Sequence, residues 1–85
     1  MKVTMIGSHL CQDTLYALMQ LKAAGVEVDF QDIHSGFSGL REYLAVRDGS
    51  LLYREVKCSG KLGIPYLRLE DGSETLDVRE VLERL

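Results

Sequence analysis

The chain is poor in the features that mark secreted, membrane-bound or nucleic-acid-binding proteins. It has one proline and two cysteines in 85 residues. A small secreted domain held by disulfides would carry four or more cysteines, so Cys11 and Cys58, far apart in sequence, fit a reducing compartment, and the expected location is cytoplasmic. The net charge is −3 and the basic residues are scattered, which leaves no electrostatic footprint for nucleic acid or an anionic membrane surface. No apolar run approaches the length of about 20 residues needed to span a bilayer. The run of about four apolar residues after Lys2 also falls short of the 7–15-residue core of a secretory signal. No repeat, phosphate-cradling loop or serine triad is visible. His9, His34 and the two cysteines lack metal-ligand spacing, so no metal is expected.

What is present is the composition of an ordinary folded globule, 46% hydrophobic and 27% charged, of a length that suits one domain, residues 1–85. The stretch that organises it is Met5-Ile6-Gly7-Ser8-His9-Leu10-Cys11-Gln12-Asp13-Thr14-Leu15. Residues 2 to 7 read as a strand, apolar nearly throughout and hence central in a sheet. A helix is predicted from Gln12 to about Ala24, with Leu15, Leu18, Met19 and Leu21 inward and Gly25 at its end. Cys11 thus stands at a strand-to-helix junction, facing unpaired backbone N–H groups and the positive end of the helix dipole, which favour the thiolate form.

Val26, Val28 and Phe30 alternate with Glu27, Asp29 and Gln31, the period of a half-exposed edge strand, and the strand–helix–strand unit implies parallel pairing. Leu40, Tyr43, Leu44 and Val46 predict a helix that breaks at Asp48-Gly49-Ser50 and resumes through Leu51, Leu52 and Val56. Ile64-Pro65-Tyr66-Leu67-Arg68-Leu69 reads as a strand with proline near its start. Asp71-Gly72 marks a hairpin leading to a short antiparallel strand at Glu74-Thr75. Val78, Val81, Leu82 and Leu85 form the apolar stripe of a last helix, with Asp77 and Glu80 as a capping-box-like start. The order is βαβ–α–ββα: an α/β domain with a four-stranded mixed sheet and helices on both faces.

A cysteine opening the first helix, Gly63-Ile64-Pro65 before a strand, and an Asp-Gly hairpin running into a capped last helix together resemble glutaredoxin over essentially the whole chain. Leu44-Ala45-Val46-Arg47-Asp48 and Lys61-Leu62-Gly63-Ile64-Pro65 are most similar to small glutaredoxin-related proteins of bacteria. The resemblance implies a thioredoxin-like fold, a cis Ile64–Pro65 bond beside Cys11, and thiol-disulfide exchange with glutathione as co-substrate, no cofactor being bound tightly. It also implies that Ile64, next to Pro65 in the glutathione-binding groove, pairs with the cysteinyl part of glutathione as an added strand would. Leu76, Asp77 and Val78 would then receive its γ-glutamyl end, with Lys61 and Arg47 as candidates for the other carboxylate. The expected partners are glutathione or another small thiol and disulfide-containing proteins, and the expected state is a monomer.

The motif departs from the family at Cys11-Gln12-Asp13-Thr14, where the second cysteine of Cys-x-x-Cys is threonine and the Cys-Gly-Phe-Ser of monothiol cluster carriers is not matched either. Only a one-thiol route through Cys11 remains within the motif. Thr14 either donates its hydroxyl to the Cys11 sulfur or bonds backbone. Asp13 suits the helix dipole yet repels a thiolate, and His9 is either a charge near the thiol or a solvated loop residue. Cys58 is either a distant resolving thiol or an ordinary helix-end cysteine. The alternatives to an oxidoreductase are a redox-silent thioredoxin-like module that binds a partner protein, and an iron–sulfur or metal carrier using Cys11. The family also has Gly-Gly where this chain has Glu74-Thr75.

Overall fold

Val3, Met5 and Ile6 are completely buried because the first strand, β1 (Lys2–Gly7), has a neighbour on each side and helices on each face. In the computed structural model, which describes all 85 residues, β1 pairs in parallel with β2 (Glu27–Asp32) and antiparallel with β3 (Tyr66–Leu69), which pairs with β4 (Glu74–Thr75). The sheet order is β2-β1-β3-β4, with β2 at an edge as its alternation requires. Between β1 and β2 runs α1 (Gln12–Ala23); α2 (Phe37–Gly49), a 3₁₀ turn (Leu51–Tyr53) and a run of turns lead to β3; α3 (Val78–Leu82) closes the chain.

The period-2 geometry of the strands sorts the core into two layers. Val3 and Met5 of β1 with Leu67 and Leu69 of β3 meet Ala17, Leu21, Val26 and Val81 on the side of α1 and α3. Ile6 and Tyr66, pointing the other way, meet Ile33, Tyr43, Val46 and Tyr53 on the side of α2. The α/β class, the mixed four-stranded sheet and the helices on both faces are as the patterning predicts.

Four details differ. The inward face of α1 is Thr14, Ala17, Leu18 and Leu21, while Leu15 and Met19 are exposed at 41% and 69%; an apolar stripe shifted by one residue reads equally well in sequence. Leu44 of α2 is exposed, and the inward positions are Gly39, Tyr43 and Val46 with Leu40 alongside. β3 begins at Tyr66, since Ile64 precedes it in a loop and Pro65 has no N–H to enter the ladder. α3 ends at Leu82, leaving Leu85 exposed, and Asp77 caps it by accepting from Arg79 N–H rather than through Glu80.

Candidate active site around Cys11

Cys11 is the N-cap residue of α1. Its backbone is extended, its carbonyl accepts from Leu15 N–H at 3.1 Å, its N–H donates to the Ser8 carbonyl at 3.0 Å, and its side chain makes no capping bond. The thiol is therefore free and half-buried. It lines a cleft of about 560 Å³ with Leu10, Lys61, Leu62, Ile64 and Leu76 among its walls. A second cavity of about 410 Å³, lined by Asp13, Tyr16, Pro65, Leu76, Asp77, Val78 and Arg79, shares Asp13, Ile64 and Leu76 with the first. The two make one groove, brought together from the start of α1, the loop before β3 and the start of α3.

Of the residues chosen from sequence, Cys11, Lys61, Ile64, Pro65, Leu76, Asp77 and Val78 all line this groove. The Ile64–Pro65 bond is cis. Neither the N–H nor the C=O of Ile64 bonds within the chain, so this residue presents an unused peptide edge to the groove. Lys61 is exposed and has no carboxylate partner, and Asp13, which lines both cavities, has no cationic partner.

Others are placed differently. Thr14 is fully buried; its Oγ1 accepts from Ser8 N–H at 3.3 Å, and a Cβ on Gly7 would lie 2.6 Å from its side chain. It makes no hydrogen bond to Cys11, so it anchors the loop backbone rather than serving the thiol. Cys58, exposed and in a left-handed backbone conformation (φ 67°), is unpaired and stands outside the groove lining, although Val56 and Lys61 on either side belong to it. The structure contains no Cys11–Cys58 disulfide. Arg47 is not a groove cation: its guanidinium donates to the Tyr43 hydroxyl at 2.9 Å and to the carbonyls of Leu62 and Lys61 at 3.3 and 3.5 Å. Asp77 is likewise engaged, since Arg79 bonds both its oxygens at 2.9–3.2 Å and holds its carboxyl below the ordinary range. Its own N–H donates to Thr75 Oγ1 at 3.0 Å. Of the three backbone N–H groups at the start of the five-residue α3, only that of Asp77 is engaged; those of Leu76 and Val78 have no partner within the chain.

The loop before β3, which lines the cleft opposite Cys11, is held in place by tyrosines. Tyr43 donates to the Leu62 carbonyl at 2.5 Å and Tyr53 to the Gly63 carbonyl at 2.8 Å. Gly63 itself has φ 73°, and a Cβ there would lie 2.7 Å from the Tyr53 ring, so close approach and conformation both require glycine. Burial pushes the Tyr53 phenol well above its ordinary value, and burial followed by the Glu74 carboxylate takes Tyr66 up to about 12. Tyr66 donates to Glu74, which also accepts from Ser50 at 3.1 Å. The glutamate at the departure from Gly-Gly therefore ties β4 to β3 and to the end of α2.

Three polar residues to which the sequence assigns no part at the thiol are Ser8, Asp32 and His34. Ser8 and His34 line the Cys11 cleft. Ser8 Oγ lies 2.5 Å from His34 Nδ1, and His9 Nδ1 lies 2.6 Å from Asp32 Oδ2. Asp32 also accepts from His34 N–H at 2.9 Å and from the Ser35 hydroxyl at 2.8 Å. Burial alone would raise its carboxyl, but these bonds bring it down to about 2. The available signal was topological. Parallel strands end on the same side, and the register Gly7↔Asp32 sets the loop after β2 against the loop that bears Cys11.

Over 74 residues the chain is 31% identical to an uncharacterized protein of Haemophilus influenzae, covering 87% of this chain and 86% of that one. No family model and no solved structure matches. The chain belongs to the same family as the Haemophilus protein.

Proposed function

We infer that this protein is a glutaredoxin-like oxidoreductase of thioredoxin-like fold, exchanging glutathione or another small thiol through the single thiol of Cys11. The observation that carries the reading is the convergence of Cys11, Ile64 and Leu76 on one groove from three separate parts of the chain. The strand order β2-β1-β3-β4, with β2 parallel to β1 and β3 antiparallel to it, supports the fold assignment. Cys11 supplies the nucleophile. Its thiolate attacks the glutathione sulfur of a protein mixed disulfide, the protein thiolate leaves, and a second glutathione then releases Cys11 as glutathione disulfide forms.

The groove suits such a ligand in three respects. The free N–H and C=O of Ile64 can pair with the peptide backbone as an added strand would. Lys61 offers a cation to a carboxylate, and the unpaired Asp13 carboxylate offers a partner to the ammonium. Leu10, Leu62 and Leu76 give apolar contact around the sulfur. Thr14 and Cys58 have no assigned chemical part in this route. A reducing cytoplasm is the compartment in which this chemistry operates.

The test is turnover of a mixed disulfide of glutathione with a peptide, coupled to glutathione reductase. Wild type turns over and Cys11→Ser does not, while Cys58→Ser retains activity. A wild-type protein that binds partners but shows no turnover belongs with redox-silent modules. A coloured protein after iron–sulfur reconstitution, lost in Cys11→Ser, would favour a cluster carrier.

A further inference from the structure

Ser8 is 1% exposed and fully hydrogen-bonded. Its carbonyl accepts from Cys11 N–H at 3.0 Å, its N–H donates to Thr14, and its hydroxyl oxygen accepts from Leu10 N–H at 3.0 Å. What remains is the hydroxyl proton, and the one acceptor within reach is His34 Nδ1 at 2.5 Å. A buried O–H without an acceptor is costly, so Ser8 donates and Nδ1 accepts. The neutral His34 ring is thereby fixed as the tautomer with its proton on Nε2. Asp32 fixes the backbone of the same residue through His34 N–H, and the His9 ring stands edge-on to it at 6.5 Å. One buried serine thus sets both the backbone of the nucleophile and the ring orientation of an exposed histidine lining the same cleft. The arrangement is not a hydrolytic triad: the serine is inaccessible, and the carboxylate bonds the side chain of His9, not that of His34.

We propose that the His34 Nε2–H, oriented by Ser8, is a hydrogen-bond donor to the thiolate that departs when Cys11 attacks a disulfide. This rests on Cys11 acting as a nucleophile toward disulfides. In that step the Cys11 thiolate forms a new S–S bond, the old S–S bond breaks, and its electron pair leaves on the outgoing sulfur. The charge on that sulfur grows through the transition state, where a pre-positioned donor has most effect. The departing thiolate then takes its proton from water. His34 would be the catalytic donor and Ser8 a positioning residue.

The test uses the reduced protein in a Cys58→Ser background, reacted in single turnover with 4,4′-dithiodipyridine, bis(2-hydroxyethyl) disulfide and iodoacetamide. These release a weakly basic thiol, a strongly basic thiol and iodide. His34→Phe is expected to slow the hydroxyethyl disulfide about tenfold, the size of one hydrogen bond to a charged group. It should slow the pyridyl disulfide much less and leave iodoacetamide alkylation unchanged, whereas His34→Gln, which keeps a side-chain N–H, recovers much of the loss. Nitrogen-detected NMR of the neutral His34 ring should show Nδ1 unprotonated, shifting to a tautomer mixture in Ser8→Ala. Equal slowing with all three reagents, no slowing of the hydroxyethyl disulfide, or a protonated Nδ1 in the neutral wild type would each overturn the proposal. A wild type inert toward both disulfides overturns it together with the exchange reading. The expected ranking without turnover of glutathione mixed disulfides upholds the role of His34 and removes glutathione alone.

Discussion

The two faces of the sheet are built from different materials. On the side of α1 and α3 the buried layer is aliphatic, with Val3, Met5, Leu21, Leu67 and Val81 in mutual contact and no side-chain hydroxyl among them. On the side of α2 the layer contains Tyr43, Tyr53 and Tyr66, stacked or edge-on at centroid distances of 6.2 Å. The aliphatic layer can only contribute stability. The tyrosine layer also reaches out through its hydroxyls, two of which hold the carbonyls of Leu62 and Gly63 at the Cys11 cleft. The second face thus couples the core to the site: aromatic rings bring area to the interior and a polar end to the groove.

If this division is correct, Leu21→Ala should have the largest effect on stability, about 2–5 kcal/mol by loss of apolar contact and creation of a cavity. It should leave the exchange rate per folded molecule unchanged, checked by denaturant unfolding beside turnover. Gly63→Ala follows, at about 1–3 kcal/mol from its left-handed φ and the clash with Tyr53. Unlike Leu21→Ala, it should also slow exchange in the molecules that remain folded, because it moves the cleft loop.

Alkaline titration sharpens the contrast further. The folded-state values of Tyr53 and Tyr66 lie above the ordinary 10, so their contribution is fully present below about pH 10. It is lost as pH rises toward about 12, when the unfolded chain ionises first. Thermal midpoints across this range, measured with tyrosinate absorbance, should fall together, and a flat midpoint to pH 12 would contradict the burial of these hydroxyls. The smallest stability effects belong to Tyr43→Phe and Tyr53→Phe, about 1 kcal/mol each for a lost hydrogen bond. Their signature is a slowing of exchange out of proportion to that loss.

Much of this was legible in the chain. β1 reads as central because almost every residue is apolar, β2 as an edge because polar residues alternate, and the break at Asp48-Gly49-Ser50 appears where α2 ends and the 3₁₀ turn begins. The position of Cys11 between strand and helix was legible, and it is the N-cap of α1. What was not legible concerns direction and partnership. A helix with apolar residues at 15, 17, 18, 19 and 21 does not announce which of them face inward, so Leu15 and Met19 were misplaced. Thr14 occupies the position of a missing cysteine, which suggests a chemical part; only packing against Gly7 and the bond from Ser8 N–H reveal an anchor. Arg47 and Asp77 look like free charges in sequence, but their partners, the carbonyls of residues 61 and 62 and the guanidinium of Arg79, are fixed by the fold. The Ser8–His34 contact joins residues 26 apart and depends on the parallel register of β1 and β2, which periodicity does not encode.

In the proposed function, Cys11 carries glutathione between disulfides without a second thiol of its own. The most direct measurement is mass spectrometry of the protein after treatment with glutathione disulfide, followed by addition of reduced glutathione. One glutathione adduct is expected on Cys11, formed in wild type and Cys58→Ser, absent from that site in Cys11→Ser, and released as glutathione disulfide. An adduct confined to Cys58, or one on Cys11 that glutathione cannot release, would contradict it.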